Sequence, residues 1–432
     1  MIKTKTSLFS QSPPNPVRVG LVGVTGYGSA YLDALKRLVD MGRVKWGAVT
    51  IINPEETAEE IAFFKERSVP VYANYLEMLE KAKDRIDWVC IPTGIGWHTQ
   101  MAVESLRRGF QVTVEKPLAP TLQDVAEIQA AEKKAGIAIS VGFQYAYQEE
   151  TWDIKERILS GEIGKVKRIN CLALWPRTRN YYERNKWSGR LHDGDSWILD
   201  SPLHNALCHL INLILFWSGD ELGKEAELMK MLSETYRSKS IESYDTVRSV
   251  VEMDSGIEAA VVLSHSTFQR FDPEIHIEGE KGKIIWRFIG DYEVEAEGVR
   301  MSYPKLGQLA VRDHMFDSVI DVIQGKPARI CTSTLARGTV KWVNAVHDTA
   351  IIQDIPKEYR KAVREESNEV VDTVTDLEYF AIRSFHERKS FKELGAPWAV
   401  EPSKADISGY TSFLGKCCPV PVPLAGARKL AK

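Results

Sequence analysis

Long apolar runs are absent from this chain, and with them a membrane-spanning role: no stretch reaches the ~18 consecutive apolar residues a transmembrane helix needs. The opening MIKTKTSLFSQSPPNP also lacks the apolar core of a signal peptide, so a soluble cytoplasmic protein with no membrane partner is expected. Cysteine is sparse. The six residues, Cys90, Cys171, Cys208, Cys331, Cys417 and Cys418, show no paired spacing of a zinc site or disulfide framework. They read as small core side chains or free thiols, and no metal is expected. Surplus positive charge is missing too. Against 56 Lys and Arg stand 59 Asp and Glu, a net charge of -3, which argues against nucleic acid as a partner. No internal repeat is present.

What is present is an ordinary globular composition, 44% hydrophobic and 27% charged, over 432 residues, more than one core usually organises. From residue 17 to about 142, short β-branched runs (VRVGLVG, WGAVTII, DWVCIP, FQVTVEKP, IAISVGF) alternate with helical stretches at 29–41, 55–66, 75–84, 98–108 and 121–135. That alternation predicts a doubly wound α/β domain around a parallel sheet. Beyond it come a helix over 146–159, a strand near 165–174, an aromatic-rich irregular stretch to residue 200, and another helix. Alternating segments between 229 and 286 then predict an open, mostly antiparallel sheet, followed by helices near 308–324 and 335–353. The expected division is a dinucleotide-binding domain at 1–145, an α+β substrate and oligomerisation domain at 146–360, and an extension at 361–432. The extension should be partly helical and end in a mobile Pro-rich tail. An open sheet with one bare face needs covering, so a homodimer or homotetramer is expected.

The first strand runs into Gly20-Leu-Val-Gly23-Val-Thr25-Gly26-Tyr27-Gly28, a glycine-rich turn opening a helix. Glycines let the backbone approach a pyrophosphate, and the helix N-terminus supplies N–H donors. Thr25 stands where the G-x-G-x-x-G pattern has its second glycine, and Gly26 next to it restores the close approach. Past the second strand, Asn53 occupies the place of the acidic residue that holds the ribose of NAD. It can bond a hydroxyl and does not repel a 2'-phosphate, yet no arginine follows, so NAD is favoured and NADP stays open.

The fourth clear strand ends in Val114-Glu115-Lys116-Pro117 at the carboxyl edge of the sheet, where doubly wound proteins place ligands. A lysine there, in a partly desolvated cleft beside a nicotinamide, is placed for proton transfer, with Glu115 orienting it. The glycine turn, Ile91-Pro-Thr93-Gly-Ile-Gly-Trp-His98 and Val114-Glu115-Lys116-Pro117-Leu-Ala-Pro-Thr together resemble the glucose-fructose oxidoreductase / inositol dehydrogenase (Gfo/Idh/MocA) family, over roughly residues 17–350. The resemblance implies a Rossmann domain followed by an open-sheet domain. It also implies that Lys116 sits beside nicotinamide and substrate, with Thr93 and His98 near the cofactor.

The same resemblance implies an Asp-x-x-x-His or similar pair in a second-domain helix, and two registers compete for it. Asp200-Ser-Pro-Leu-His204 matches by letter, whereas Asn205-Ala-Leu-Cys-His209 places Gly219 at the family's spacing beyond the histidine. Ser201-Pro202 reads as an N-cap and first helical residue, which leaves Asp200 outside the helix. Asn205, His209 and Asn212 then form one polar stripe, and His204 points roughly 140° away from His209 at ~100° per residue. His209 is the expected partner of Lys116, held by Asn205 and Asn212.

Between the two signatures, residues 175–192 are dense in aromatics and arginines. Tyr and Trp faces pack on sugar rings and an Arg fork holds a carboxylate or hydroxyls, so Arg177, Tyr181, Tyr182, Trp187 and Asn212 are candidate substrate contacts. The expected activity is hydride transfer between nicotinamide and a secondary alcohol of a sugar, sugar acid or cyclitol. Lys116 and His209 share the proton, and which of them is the base stays open. Two alternatives remain: a redox-neutral glycoside hydrolase or lyase acting through transient oxidation, and a nucleotide-dependent sugar-binding protein without catalysis.

Overall fold

A computed structural model describes residues 15–305, 310–365 and 368–417; the expected mobile tail from 418, with Cys418, lies outside the described residues. Six strands form the first sheet: β1 (Val17–Val22), β2 (Val44–Thr50), β3 (Val71–Tyr72), β4 (Trp88–Ile91), β5 (Gln111–Val114) and β6 (Ser140–Val141). Their order is β3-β2-β1-β4-β5-β6, and every neighbouring pair is parallel. Helices α1 (Tyr27–Asp40), α2 (Ala58–Glu66), α3 (Tyr75–Lys81), α4 (His98–Arg107) and α5 (Leu122–Ala135) make the crossovers. Val19, Leu21, Val22, Val89, Cys90 and Ile91 are all buried, as strands covered on both faces require, which is why these runs are unbroken by polar residues. Strand order reverses between β1 and β4, opening a crevice at their carboxyl ends. Only β3, two residues long, escaped the sequence pattern.

The helix expected over 146–159 is split. A 3-10 turn covers Gln144–Tyr147, Gln148 is extended, and α6 (Glu149–Ser160) follows. Then come β7 (Val166–Leu174), the short α7 (Arg179–Glu183), a small hairpin of β8 (His192–Asp193) and β9 (Ser196–Trp197), and α8 (Cys208–Ser218). Strands β10 (Leu228–Arg237), β11 (Thr246–Met253), β12 (Glu258–Ser264), β13 (Phe271–Gly279), β14 (Gly282–Arg287), β15 (Tyr292–Ala296) and β16 (Val299–Tyr303) build the second sheet with β7. Helices α9 (Ala310–Ile323) and α10 (Ser333–Thr349) precede β17 (Ile352–Asp354), the hairpin β18 (Arg360–Arg364) and β19 (Val370–Val374), α11 (Leu377–Glu387) and β20 (Ser403–Asp406). The order is β16-β15-β14-β13-β7-β12-β11-β10-β17, with β20 beside β10; β7–β12 and β10–β17 are the parallel pairs and the rest are antiparallel. No helix among the described residues is long and apolar enough to cross a membrane.

The extension corrects one expectation. Ile169, Cys171 and Ala173 of β7 join the main core, while Leu172 and Leu174 point the other way, into a second cluster with Tyr236, Val262, Phe380, Phe391 and Trp398. The chain's own α11 and the segment after it therefore cover this part of the second sheet face, and β20 extends the sheet edge. The bare face that gave the reason for expecting a homo-oligomer is, over β7, β10 and β12, already covered.

Burial also sets an acid limit on the fold. His98, His204, His209, His265 and His347 are held below the ordinary histidine value by desolvation, His204 and His265 to about 3 and His347 to about 4. Below about pH 6.5 each binds its proton more weakly folded than unfolded, so the stability it contributes is lost as pH falls toward its folded value. Buried Glu115 and Glu234, pushed up to about 7, and Glu225, pushed up to about 8, act oppositely and contribute stability that is lost as pH rises through those values. Tm should therefore peak near roughly pH 6 to 7 and fall on both sides. Differential scanning calorimetry from pH 4 to 9 checks this; a Tm flat from pH 7 to 4 would contradict it.

Candidate active site

At the end of β1 the chain turns through Gly23 and Gly26 into α1. Gly26 has φ +58° and ψ −125°, a conformation that favours glycine, and caps α1 without any side-chain bond. At Gly28 a Cβ would stand 2.7 Å from the Gly23 carbonyl oxygen, so this position accepts no side chain without moving the turn. Thr25, Gly26 and Tyr27 are exposed, and the first turn of α1 has no acidic residue. This open helix N-terminus fits an anionic pyrophosphate. Thr93 lies beside it, its methyl 3.9 Å from where a Gly23 Cβ would be, and Asn53 sits exposed at the start of the 3-10 turn Pro54–Glu56. Tyr27 accepts a bond from Arg312 of α9 (3.1 Å), a cation at the mouth of the crevice that the sequence reading missed.

His98 is held by backbone carbonyls beside the crevice rather than left open to a ligand. It is buried, with Nδ1 2.8 Å from the Pro117 oxygen and Nε2 3.0 Å from the Thr93 oxygen. Desolvation lowers its pKa, and neither nitrogen is turned to the crevice; it ties the loop after β4 to the segment after β5. Glu115 differs as well. Its buried carboxyl accepts from Tyr31 OH (3.1 Å) and from the Lys116 backbone N–H (2.9 Å), and it makes no bond to the ammonium it was expected to orient. Burial pushes Glu115 up to about 7, opposed chiefly by the Lys116 charge. The Lys116–Pro117 peptide is cis.

Lys116 Nζ instead reaches the second domain, donating to the Asn205 carbonyl oxygen at 2.9 Å and to Asn205 Oδ1 at 3.4 Å. The expected helix start at Ser201-Pro202 is not there. Residues 202–206 form turns, closed by Asn205 N–H to Ser201 O (3.0 Å) and Leu207 N–H to Pro202 O (3.2 Å), and α8 begins only at Cys208. Asp200, buried with its pKa raised by desolvation, accepts from Gly189 N–H (2.6 Å) and Asn205 Nδ2 (2.9 Å). Those tertiary bonds outweigh the local cap signal and hold the turns. Because Asn205 stands outside the helix, its carbonyl is left to Lys116 Nζ and to Cys208 Sγ (3.1 Å).

The polar stripe is accordingly corrected. Asn212 is buried and donates to the Leu335 carbonyl of α10. His204, in the turns before α8 rather than on a helix face, is buried with Nδ1 against the Ile198 and Leu199 carbonyls. His209 bonds to neither Asn205 nor Asn212. Its ring rests edge-on against Phe143 (5.7 Å) and Tyr145 (5.0 Å), and Nδ1 has no hydrogen-bond partner. Its pKa is depressed by burial, then by the charges of Lys116 and Arg312, so the imidazole is neutral and near the ammonium. Phe143 and Tyr145 carried no sequence signal beyond core composition.

The aromatic loop closes the other side. Tyr181 OH accepts from Asn205 Nδ2 at 3.3 Å, and Tyr182 packs edge-on to Tyr181 at 5.1 Å. Trp187 lies against Gly94, its Nε1 3.9 Å from where a Cβ there would be. Arg177 sits over Tyr181. A small pocket, with room for about a single water, is bordered by Tyr181, Tyr182, Asp200, Asn205 and His265. Lys116, Asn205, His209, Tyr181 and Arg177 are thus brought together, with Asp200 added and Asn212 removed.

Two family models match: one described as oxidoreductase family, NAD-binding Rossmann fold, over residues 17–143, and one described as GFO/IDH/MocA C-terminal domain, over residues 151–285. An inositol 2-dehydrogenase of Ralstonia nicotianae is 24% identical over 267 residues, 62% of this chain and 72% of that protein. An inositol 2-dehydrogenase/D-chiro-inositol 3-dehydrogenase of Halalkalibacterium halodurans is 25% identical over 48% of this chain, and the match spans only 53% of that protein. The WlbA dehydrogenase from Bordetella pertussis, solved with NADH and UDP-GlcNAcA, shares the fold, with a TM-score of 0.62 and 21% identity over 76% of this chain and 94% of that one. With its Rossmann crevice, its Glu115-Lys116-Pro117 strand end and both domains matched, this chain belongs to the Gfo/Idh/MocA family of NAD-binding oxidoreductases.

Proposed function

We propose that the chain is an NAD-dependent dehydrogenase acting on a secondary alcohol of a sugar, sugar acid or cyclitol. The observation that carries this reading is the 2.9 Å bond from Lys116 Nζ, at the carboxyl edge of the Rossmann sheet, to Asn205 O of the second domain, beside the crevice. The names of the inositol dehydrogenase relatives agree with an alcohol on a ring. Gly23, Thr25, Gly26, Tyr27 and Gly28 hold the pyrophosphate, Asn53 the ribose, and Thr93 flanks the turn. NAD bound there supplies the hydride acceptor.

The protein groups divide the proton work by what they can offer. Lys116 Nζ, already a donor to Asn205 O, hydrogen-bonds the reacting hydroxyl and stabilises the negative charge that develops on it. His209, neutral and close to the Lys116 ammonium, is the group left to take the departing proton. Asn205 holds Lys116 in place and is itself held by Asp200. The test is to incubate the purified chain with NAD and myo-inositol, aldoses, uronic acids and glycosides, following reduced nicotinamide and products together. Reduced nicotinamide should accumulate in step with a ketone product. Glycoside cleavage without it, or binding without turnover, would overturn the reading.

A further inference from the structure

The loop between β7 and α8 carries Arg177, Arg179, Arg184 and Arg190, and their partners divide them. Arg179 grips Asp372 with two bonds (2.9 and 2.6 Å), and Arg190 pairs with Glu242 at 2.6 Å. Arg177 and Arg184 pair with no carboxylate among the described residues. Their guanidinium carbons lie 4.7 and 3.8 Å from the Tyr181 ring centroid, and Arg177 Nε is buried without any hydrogen-bond partner. Tyr181 OH accepts from Asn205, whose carbonyl accepts from Lys116 Nζ. Three cations therefore surround one phenol.

Protein carboxylates nearby give the two guanidinium groups no direct bond, although Asp200 lies within electrostatic reach of Arg184 and Lys116. Asp200 is committed to Gly189 N–H and Asn205 Nδ2. Asp245 is committed to the Ser238 and Lys239 backbone N–H groups and to the Ser238 and Thr246 hydroxyls. An arginine drawn partly out of water with a donor unmet is costly, and an anion with two coplanar oxygens matches its fork. A neutral sugar would meet the donors but bring no charge opposite to the guanidinium groups.

Resting on the dehydrogenase reading above, we propose that the substrate is an anionic sugar whose carboxylate is held by Arg177 and Arg184 while its ring hydroxyl meets Lys116. The loop then discriminates acid from neutral sugar, a property separate from the hydride step.

The test compares kcat/KM of the full-length chain with NAD for D-glucuronate and D-galacturonate, for D-glucose and D-galactose, and for glucose 6-phosphate. Uronates should be preferred by roughly a hundredfold. In R184Q, whose side chain is on the surface, and in R177Q, the uronate preference should collapse by roughly tenfold or more, mainly through KM, with NAD affinity intact as the sign of a folded protein. Equal or better use of neutral sugars or of the phosphate, or an unchanged preference in both variants, would overturn the proposal. If no sugar is oxidised at all, the dehydrogenase reading fails, and calorimetric titration of D-glucuronate into the NAD-bound chain decides this one separately. Binding that is weakened in R184Q supports it, and no binding overturns it.

Discussion

Replacing Lys116 with alanine is expected to lower kcat by roughly a hundredfold to ten-thousandfold, while NAD binds with its wild-type affinity. The size follows from what Nζ touches. It is the group that spans from the Rossmann strand end to the Asn205 carbonyl, and removing it takes away both the donor to a developing alkoxide and the charge that helps keep His209 neutral. Lys116 is only half-buried, so its truncation opens no core cavity, and Tm should barely change. Steady-state kinetics with a fluorescence titration of NAD separates the two effects. Wild-type turnover in Lys116→Ala would remove this side chain from the mechanism, whatever the fold.

The second large effect is expected on the opposite side of the crevice. In Gly28→Ala the new methyl would sit 2.7 Å from the Gly23 oxygen and 3.7 Å from Pro92 Cγ, forcing the turn away from α1. Overpacking of that kind costs about 1–3 kcal/mol, which, spent on the shape of the turn, weakens NAD by roughly five- to a hundredfold. Alanine is a better helix former than glycine, so α1 itself should survive. Loss of NAD affinity with a Tm lowered by only a few degrees is the signature to look for in isothermal titration and thermal melts. Unaltered affinity would mean that the turn does not form the pyrophosphate seat.

The contrast between these two positions shows what could be read from the chain. The glycine turn, the Val114-Glu115-Lys116-Pro117 strand end and the long buried strands are local signals, since a parallel strand covered on both faces must be apolar throughout. The second domain was legible as alternating strands, but β15, β16 and the charged hairpin β18–β19 carry weak patterns on partly exposed edges. Leu172 and Leu174 did hint at a second covered face of β7, because a strand wet on one side would alternate. At residues 200–209 the local rules misled. Ser201-Pro202 is a sound helix start by itself, yet Asp200 is drawn to Gly189 N–H and Asn205 Nδ2, contacts from 11 residues upstream and 5 downstream. No local rule reports such bonds. Likewise, Asn212 matches a helical stripe with His209 by spacing, and only the packing of α10 shows where its amide goes.

The measurement that bears most directly on this account is a crystal structure of the chain with NAD. The pyrophosphate should lie over the turn from Gly23 to Gly28, and the nicotinamide carbon that takes the hydride should face the space between Lys116 Nζ and His209, with Nζ still bonded to Asn205. A nucleotide seated elsewhere, or a nicotinamide turned away from those two side chains, would contradict it.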